Sequence, residues 1–177
     1  MPRAPTNRAV LRDATRAAHG AAEARWVWQG RFRSRGAYGD WLRRLLRAHC
    51  TLGLPAAQVL GDAHQERLRI RALRSDLGLS GAGARGPEPL DLGTAWGVAY
   101  ALNGSALGAS SLLTSGAVSR DWPQAYLRVL RDYARGGGLR AFFDDLDAAS
   151  VPRAQMVQGA QAVFACLAEA EEAAVPF

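Results

Sequence analysis

Apolar residues along this chain recur at spacings of three and four, the period of a helix with one buried face, and alternating strand patterns are almost absent. Residues 8–25 predict a first helix, rich in alanine. Ser34 is placed to cap a second, whose apolar stripe is Tyr38, Trp41, Leu42, Leu45, Leu46 and Cys50. That pattern runs on to about Leu60, with a kink expected near Gly53 and Pro55. A third helix is predicted over 64–77, and the glycine-rich stretch 78–89 reads as the clearest loop. The fourth spans 92–113 and is interrupted by Gly104 and Gly108. A fifth covers 122–134, and a sixth covers 139–148, entered through Gly136, Gly137 and Gly138. Ser150 is placed to cap the last, with Pro152 in its first turn and Phe164 and Leu167 inside it. No repeat or second domain is evident. The prediction is an all-α fold, a single compact bundle of about seven helices over residues 1–177, with 1–7 as a flexible N-terminal arm.

Composition narrows the class. A chain of 177 residues, 49% of them apolar, can bury one real core and is no disordered tail. No apolar run approaches the roughly 20 residues of a membrane span, so no membrane insertion is expected. The N-terminus has no apolar stretch of signal type, which makes a cytoplasmic location the expectation. Cys50 and Cys166 sit in apolar helical patterns without a C-x-x-C partner, so both read as buried thiols and not as a disulfide. The net charge is +6 and every basic side chain is Arg, so any bound anion must be held by Arg or by backbone N–H groups. A basic surface suits nucleic acid, an acidic partner protein or a carboxylated ligand. Nucleic acid is the weakest of these, because the arginines are scattered and aromatics do not interleave with them.

Two segments carry candidate chemistry. In Leu11-Arg-Asp-Ala-Thr-Arg-Ala-Ala-His19-Gly-Ala-Ala-Glu23, the residues around His19 are small: Ala14, Ala18 and Ala22. A flat ligand can lie close to such a backbone. Glu23, four residues on, shares a face with His19 and can accept its Nδ1–H, leaving Nε2 for a metal. Arg12 and Arg16 lie near the same surface, within reach of carboxylates at a ligand edge. A solvated helix with a surface histidine and an ordinary i,i+4 pair is the other reading. The second segment runs from Gly97 to Leu113 and holds Gly104 and Gly108 one turn apart. Glycine inside a helix costs about 1 kcal/mol relative to alanine. Close approach of a neighbouring helix explains these glycines as well as close approach of a ligand does.

Together the segments resemble the haem oxygenase family over most of the chain. Leu-Arg-Asp-Ala-Thr-Arg-Ala-Ala-His is similar to its proximal helix, and Tyr-Ala-Leu-Asn-Gly-Ser-Ala-Leu-Gly-Ala to its glycine-bearing distal helix, in the right order and about 85 residues apart. Weaker similarity includes Ser34-Arg-Gly-Ala-Tyr38, Leu73-Arg-Ser-Asp-Leu77, Arg140-Ala-Phe-Phe and Ala162-Val-Phe164. The resemblance implies haem sandwiched between the two helices, as substrate and cofactor, with His19 as the iron ligand and Glu23 as its hydrogen-bond partner. It makes Arg12 and Arg140 candidates for the propionates, with Arg16 beside Arg12 on the same surface, and Phe164 a candidate haem contact. It sets Gly104, Ser105 and Gly108 at the catalytic face; Ser105 stands where mammalian members have an aspartate. Two departures stand out. Asn103 replaces a common Glu, and Ala109 replaces a second Gly, its methyl expected to crowd the distal pocket. The implied reaction uses O2 and an external donor, such as ferredoxin or a reductase, to yield biliverdin, CO and ferrous iron. The rivals are a non-catalytic haem carrier or sensor on the same fold, a thiaminase-like enzyme needing a cysteine in a polar pocket, and an interaction module without a ligand. His49 is expected at the core edge, His64 in solvent, and Trp26, Trp28, Trp41 and Trp96 in the core.

Overall fold

The computed structural model describes residues 4–28, 31–80 and 90–169. Helix α1 (Asn7–Trp26) leads into a two-residue antiparallel ribbon, β1 (Val27–Trp28) with β2 (Arg31–Phe32). The apolar pattern did not predict this ribbon. Its Phe32 N–H donates to the Ala117 carbonyl at 3.1 Å, tying it to the segment beyond α5. Ser34 caps α2 (Arg35–Ala48) as expected, its hydroxyl accepting from Ala37 N–H.

Helix α2 continues without a break through a π turn (His49–Gly53) into α3 (Leu54–Leu60). Pro55 supplies the cause. It has no N–H to give the Thr51 carbonyl four residues back, and its ring crowds that carbonyl in a regular helix. The wider turn, closed by Leu54 N–H on the His49 carbonyl, makes room. The kink expected near Gly53 and Pro55 is thus a π turn.

Next come α4 (Ala63–Asp76), α5 (Leu92–Thr114), α6 (Ala125–Arg135), α7 (Gly138–Ala148) and α8 (Arg153–Ala168). With α2, the π turn and α3 counted as one rod, the described residues form seven helices. Helix α5 is continuous through Gly104 and Gly108, so the interruption expected there does not occur. Helix α6 starts three residues later than its apolar pattern, because the Asp76 carboxylate of α4 accepts from Ala125 and Tyr126 N–H and caps it there. Pro152 stands at the N-cap of α8, where Ser150 was expected. Within the stretch read as an N-terminal arm, buried Asn7 donates to the Leu146 and Ala149 carbonyls, and Arg153 binds both Asn7 and the Pro5 carbonyl. Residues 1–3 and most of the loop, 81–89, lie outside the described residues.

The core lies between α2, α4, α5, α6 and α8, around Leu42, Leu73, Val98, Leu127, Leu130 and Met156. Helices α5 and α8 cross in backbone contact. A Cβ added at Gly97 would lie 1.8 Å from the Met156 carbonyl oxygen, and one at Gly159 would lie 2.2 Å from that of Thr94. Overpacking a rigid contact costs about 1–3 kcal/mol. We expect Gly97→Ala or Gly159→Ala to lower the melting temperature by roughly 2–12 °C, at about 2–4 °C per kcal/mol for a chain of this size. Thermal unfolding followed by circular dichroism checks this. An unchanged midpoint would mean that the crossing is looser than described.

Candidate functional site

On α1, Arg12, Arg16, His19 and Glu23 follow one another at helical spacing along one stripe. His19 is exposed, and its ring meets Phe164 of α8 edge-on, with centroids 6.1 Å apart at 72°. One turn before it, buried Thr15 lies beside the hydroxyl of Tyr100 on α5. Helices α1 and α5 therefore meet at Thr15–Tyr100, and the segments beyond their C-terminal ends are tied by the Phe32–Ala117 bond. His19 lies one turn past that meeting point on α1, and Gly104 one turn past it on α5. A Cβ added at Gly104 or Gly108 meets nothing within 4 Å. These two glycines therefore do not admit a neighbouring helix, as Gly97 does. They strip side chains from an open face of α5.

The arginines stand around this region. Arg12 and Arg16, both largely exposed, share Asp13 at 3.5 and 2.6 Å. Arg140 on α7 is 89% exposed and 3.9 Å from Asp144. One turn along α7, Phe143 meets Tyr100 at 6.4 Å and carries the Arg8 guanidinium at 5.2 Å, so α7 closes the Tyr100 end. Exposed pairs like these are worth about 0–1 kcal/mol, so the guanidinium groups can turn to another anion at little cost. The Glu23 side chain lies outside the described residues. His19 and Phe164 thus face each other from α1 and α8, the bare glycine face lies on α5, and Arg140 stands exposed on α7.

Ser105 faces elsewhere. Its hydroxyl donates to the Leu102 carbonyl at 2.6 Å and lies 3.4 Å from the Tyr126 hydroxyl. Behind it runs a buried polar chain that the sequence did not announce. His49, expected at the core edge, is fully buried, with Nδ1 2.5 Å from Glu66 Oε1 and Nε2 2.9 Å from the Tyr126 oxygen. Arg69 donates to Glu66 at 3.3 Å and to Asn103 Oδ1 at 2.7 Å, and its guanidinium lies 4.7 Å over the Tyr133 ring. Asn103 therefore serves the core as the partner of Arg69. Burial drives the Glu66 carboxyl up, but His49 and Arg69 beside it outweigh burial and hold it below its usual range. Burial pushes the Tyr126 hydroxyl well above the usual tyrosine range. Ala109 corrects another expectation. It is fully buried in the core, so its methyl points away from the glycine face and does not crowd it.

Two hollows flank these elements. One, of about 280 Å³, lies against α3, α4, α5 and α7 and is lined by Gly53, Glu66, Arg69, Trp96 and Phe142; Arg69 Nε there is buried without a hydrogen-bond partner among the described residues. Trp96, expected in the core, is partly buried and forms a wall of this hollow. The other, of about 510 Å³, runs along α1 and α8 past Ala18, Ala22, Arg25 and Phe164. His64 is exposed and Trp26 buried, as expected; the Trp28 side chain lies outside the described residues. Among the described residues, no helix is long and apolar enough to cross a membrane.

No protein family's sequence model matches this chain, and no curated protein matches it. Among solved structures it is similar to the NO- and CO-bound heme oxygenase of Neisseria meningitidis, with a TM-score of 0.63, 24% identity and 96% of each chain covered. The all-α fold of this chain is the heme oxygenase fold.

Two stability measurements follow. In the ligand-free protein, Gly104→Ala and Gly108→Ala should each raise the melting temperature by a few degrees, since alanine gains about 1 kcal/mol over glycine in a helix and has open space here. Ala109→Gly should lower it. A lower midpoint for Gly104→Ala or Gly108→Ala would show that a neighbour packs on that face. Acid denaturation tests the buried chain. Glu66 is held below its ordinary 4.5, so its contribution is full above that pH and is lost as pH falls through the folded value. Glu66→Gln should be less stable near neutrality and lose less stability between neutral pH and acid. An identical acid limb would remove Glu66 from this account.

Proposed function

We propose that the chain is a haem oxygenase: it holds haem between α1 and α5, with His19 on the iron, and opens the ring to biliverdin using O2 and an external electron donor. The observation that supports this most is the pair Gly104 and Gly108, facing open space on a helix that meets that of His19. A flat ring needs a wall without side chains, and two helical glycines that admit no neighbouring helix provide one. The alanines beside His19 offer a second low wall, and Phe164 an apolar edge. Among the described residues no group of three or more metal-binding side chains is gathered.

When bound, haem supplies both the oxygen-activating metal and the carbon skeleton that is cut. The protein's part is to bind and orient. The His19 imidazole would offer a nitrogen lone pair, and Glu23, four residues on, would fix its tautomer. Arg12, Arg16 and Arg140 offer charged hydrogen bonds to the carboxylates of the ring, worth roughly 1.5–3 kcal/mol each, and so set its rotation. The glycine face excludes side chains that would displace a small diatomic ligand. Ser105, beside Gly104 in the chain, turns its hydroxyl to Tyr126, which in turn meets His49. The exposed arginine surface suits an acidic redox protein, such as a ferredoxin.

One observation favours a second reading, a haem carrier or sensor without ring opening. The Ser105 hydroxyl is turned to Leu102 and Tyr126 and not to the glycine face. Haemin titration followed by aerobic reduction with ascorbate or ferredoxin separates the two. We expect about one haem per chain, loss of the native axial ligation in His19→Ala, and replacement of the Soret band by the biliverdin spectrum. Gly108→Leu should keep haem and the His19 bond but form little biliverdin. Arg12→Ala with Arg140→Ala should weaken binding or change the isomer ratio. Stable haem binding without biliverdin would establish the carrier, and no binding would end both readings.

A further inference from the structure

A stack of aromatic rings runs from the buried polar chain to the surface, and the proposed function does not use it. Trp122, partly exposed before α6, stacks on Tyr38 of α2 at 5.6 Å and 26°. Tyr38 stacks in turn on Trp41 at 5.8 Å and 29°. Trp41 meets Tyr126 of α6 edge-on at 6.1 Å and 68°. Core packing accounts for the proximity of these rings. It does not account for the hydrogen bonds at the inner end.

There the Tyr126 hydroxyl is fully buried, with His49 Nε2 2.9 Å away and Glu66 on the other ring nitrogen. The Glu66 carboxylate can only accept, so the His49 Nδ1 facing it carries a hydrogen. In the tautomer with its hydrogen on Nδ1 alone, Nε2 is a bare lone pair, and Tyr126 O–H donates to it. A phenol in contact with such a base can lose its electron and its proton together. Tyr38 lacks this, because its hydroxyl donates to the Pro123 carbonyl, and a peptide oxygen does not take the proton.

We propose that Tyr126 is a redox-active tyrosine, with His49 as its proton acceptor, and that Trp41, Tyr38 and Trp122 conduct the electron vacancy between it and the surface. The steps balance. A one-electron outer-sphere oxidant removes an electron from Trp122. The Trp122 radical cation takes an electron from Trp41 across the ring of Tyr38, and Trp41 takes one from Tyr126. As Tyr126 gives that electron, its proton moves to His49 Nε2. A neutral tyrosyl radical and an imidazolium held by Glu66 result, with both indoles restored. An electron supplied at Trp122 reverses every step. The Tyr126 hydroxyl lies 3.4 Å from Ser105, so under the function proposed above the stack drains oxidising equivalents from the cleft. Only that last clause rests on that reading.

The test uses the haem-free protein, so its outcome is independent of haem binding. A photo-generated ruthenium(III) tris-bipyridyl oxidant is flashed in solution, and radicals are followed by transient absorption and by electron paramagnetic resonance after freezing. We expect an indole radical that decays into a long-lived tyrosyl radical, more slowly in D2O. Tyr126→Phe should abolish that long-lived signal, and Trp122→Phe or Trp41→Phe should slow its formation several-fold with the helical circular dichroism unchanged. If Tyr126→Phe misfolds, 3-fluorotyrosine placed at position 126 keeps the hydroxyl and should add fluorine splitting to the radical spectrum. The proposal fails if the signal persists in Tyr126→Phe, as it would if it arose on Tyr100 or Tyr133. It also fails if the fluorine splitting is absent, or if neither indole substitution changes the rate.

Discussion

At Gly97 and Gly159 the backbones of α5 and α8 meet with no side chain between them, so the crossing has almost no room to slide or rotate. The course of α5 beyond that point is set there. Its next turns run past Thr15 of α1, which lies beside Tyr100, and then along open space at Gly104 and Gly108. Helix α8 leaves the same crossing to bring Phe164 against His19. One close contact thus aims two helices, α5 toward its bare glycine face and α8 toward His19. The same helix uses glycine for opposite ends: at Gly97 to touch a helix, at Gly104 and Gly108 to leave a face bare.

That contrast marks where reading the sequence stops. Gly97, Gly104 and Gly108 look alike in the chain, and only the position of α8 tells them apart. The helical rods were legible because their period is local. Several of their ends were not. The start of α6 is decided by Asp76, 49 residues earlier, and the π turn by a carbonyl that Pro55 cannot serve. The stripe of Arg12, Arg16 and His19 was legible for the same local reason, and Phe164 joined it through the resemblance alone. Ala109 shows the opposite case. One step along a helix turns a side chain by about 100°, and that step carries its methyl from the bare face of Gly108 into the core.

The buried polar chain was illegible for a further reason. Asp62-Ala-His-Gln-Glu66-Arg-Leu-Arg69 has the composition of a solvated surface, and His64 and Arg67 do face solvent. Glu66 and Arg69 are buried because their partners arrive from elsewhere: His49 from the π turn, Asn103 from α5, and the Tyr133 ring from α6. Buried charges are tolerable only when such partners are all in place, so this network demands one arrangement of four helical rods at once. Asn103, read in the sequence as a departure at the active face, is one of those demands. A carboxylate there would bring a second negative charge to Arg69 beside Glu66.

The π turn carries a consequence for the history of the chain. A wide turn of this kind holds one residue more than the α-helix it interrupts, so it amounts to an insertion that the rod has absorbed without breaking. Removing one residue between His49 and Gly53 would take out that extra residue and rotate the whole of α2 by about 100° against α3. Leu42, Leu45 and Leu46 would leave the core together, and Trp41 would lose Tyr126. Loops elsewhere on this molecule can lengthen or shorten at small cost, but the count of residues between Ser34 and Pro55 cannot drift. Among descendants of this chain that keep the fold, length should vary around the loop and the termini and stay constant across this stretch.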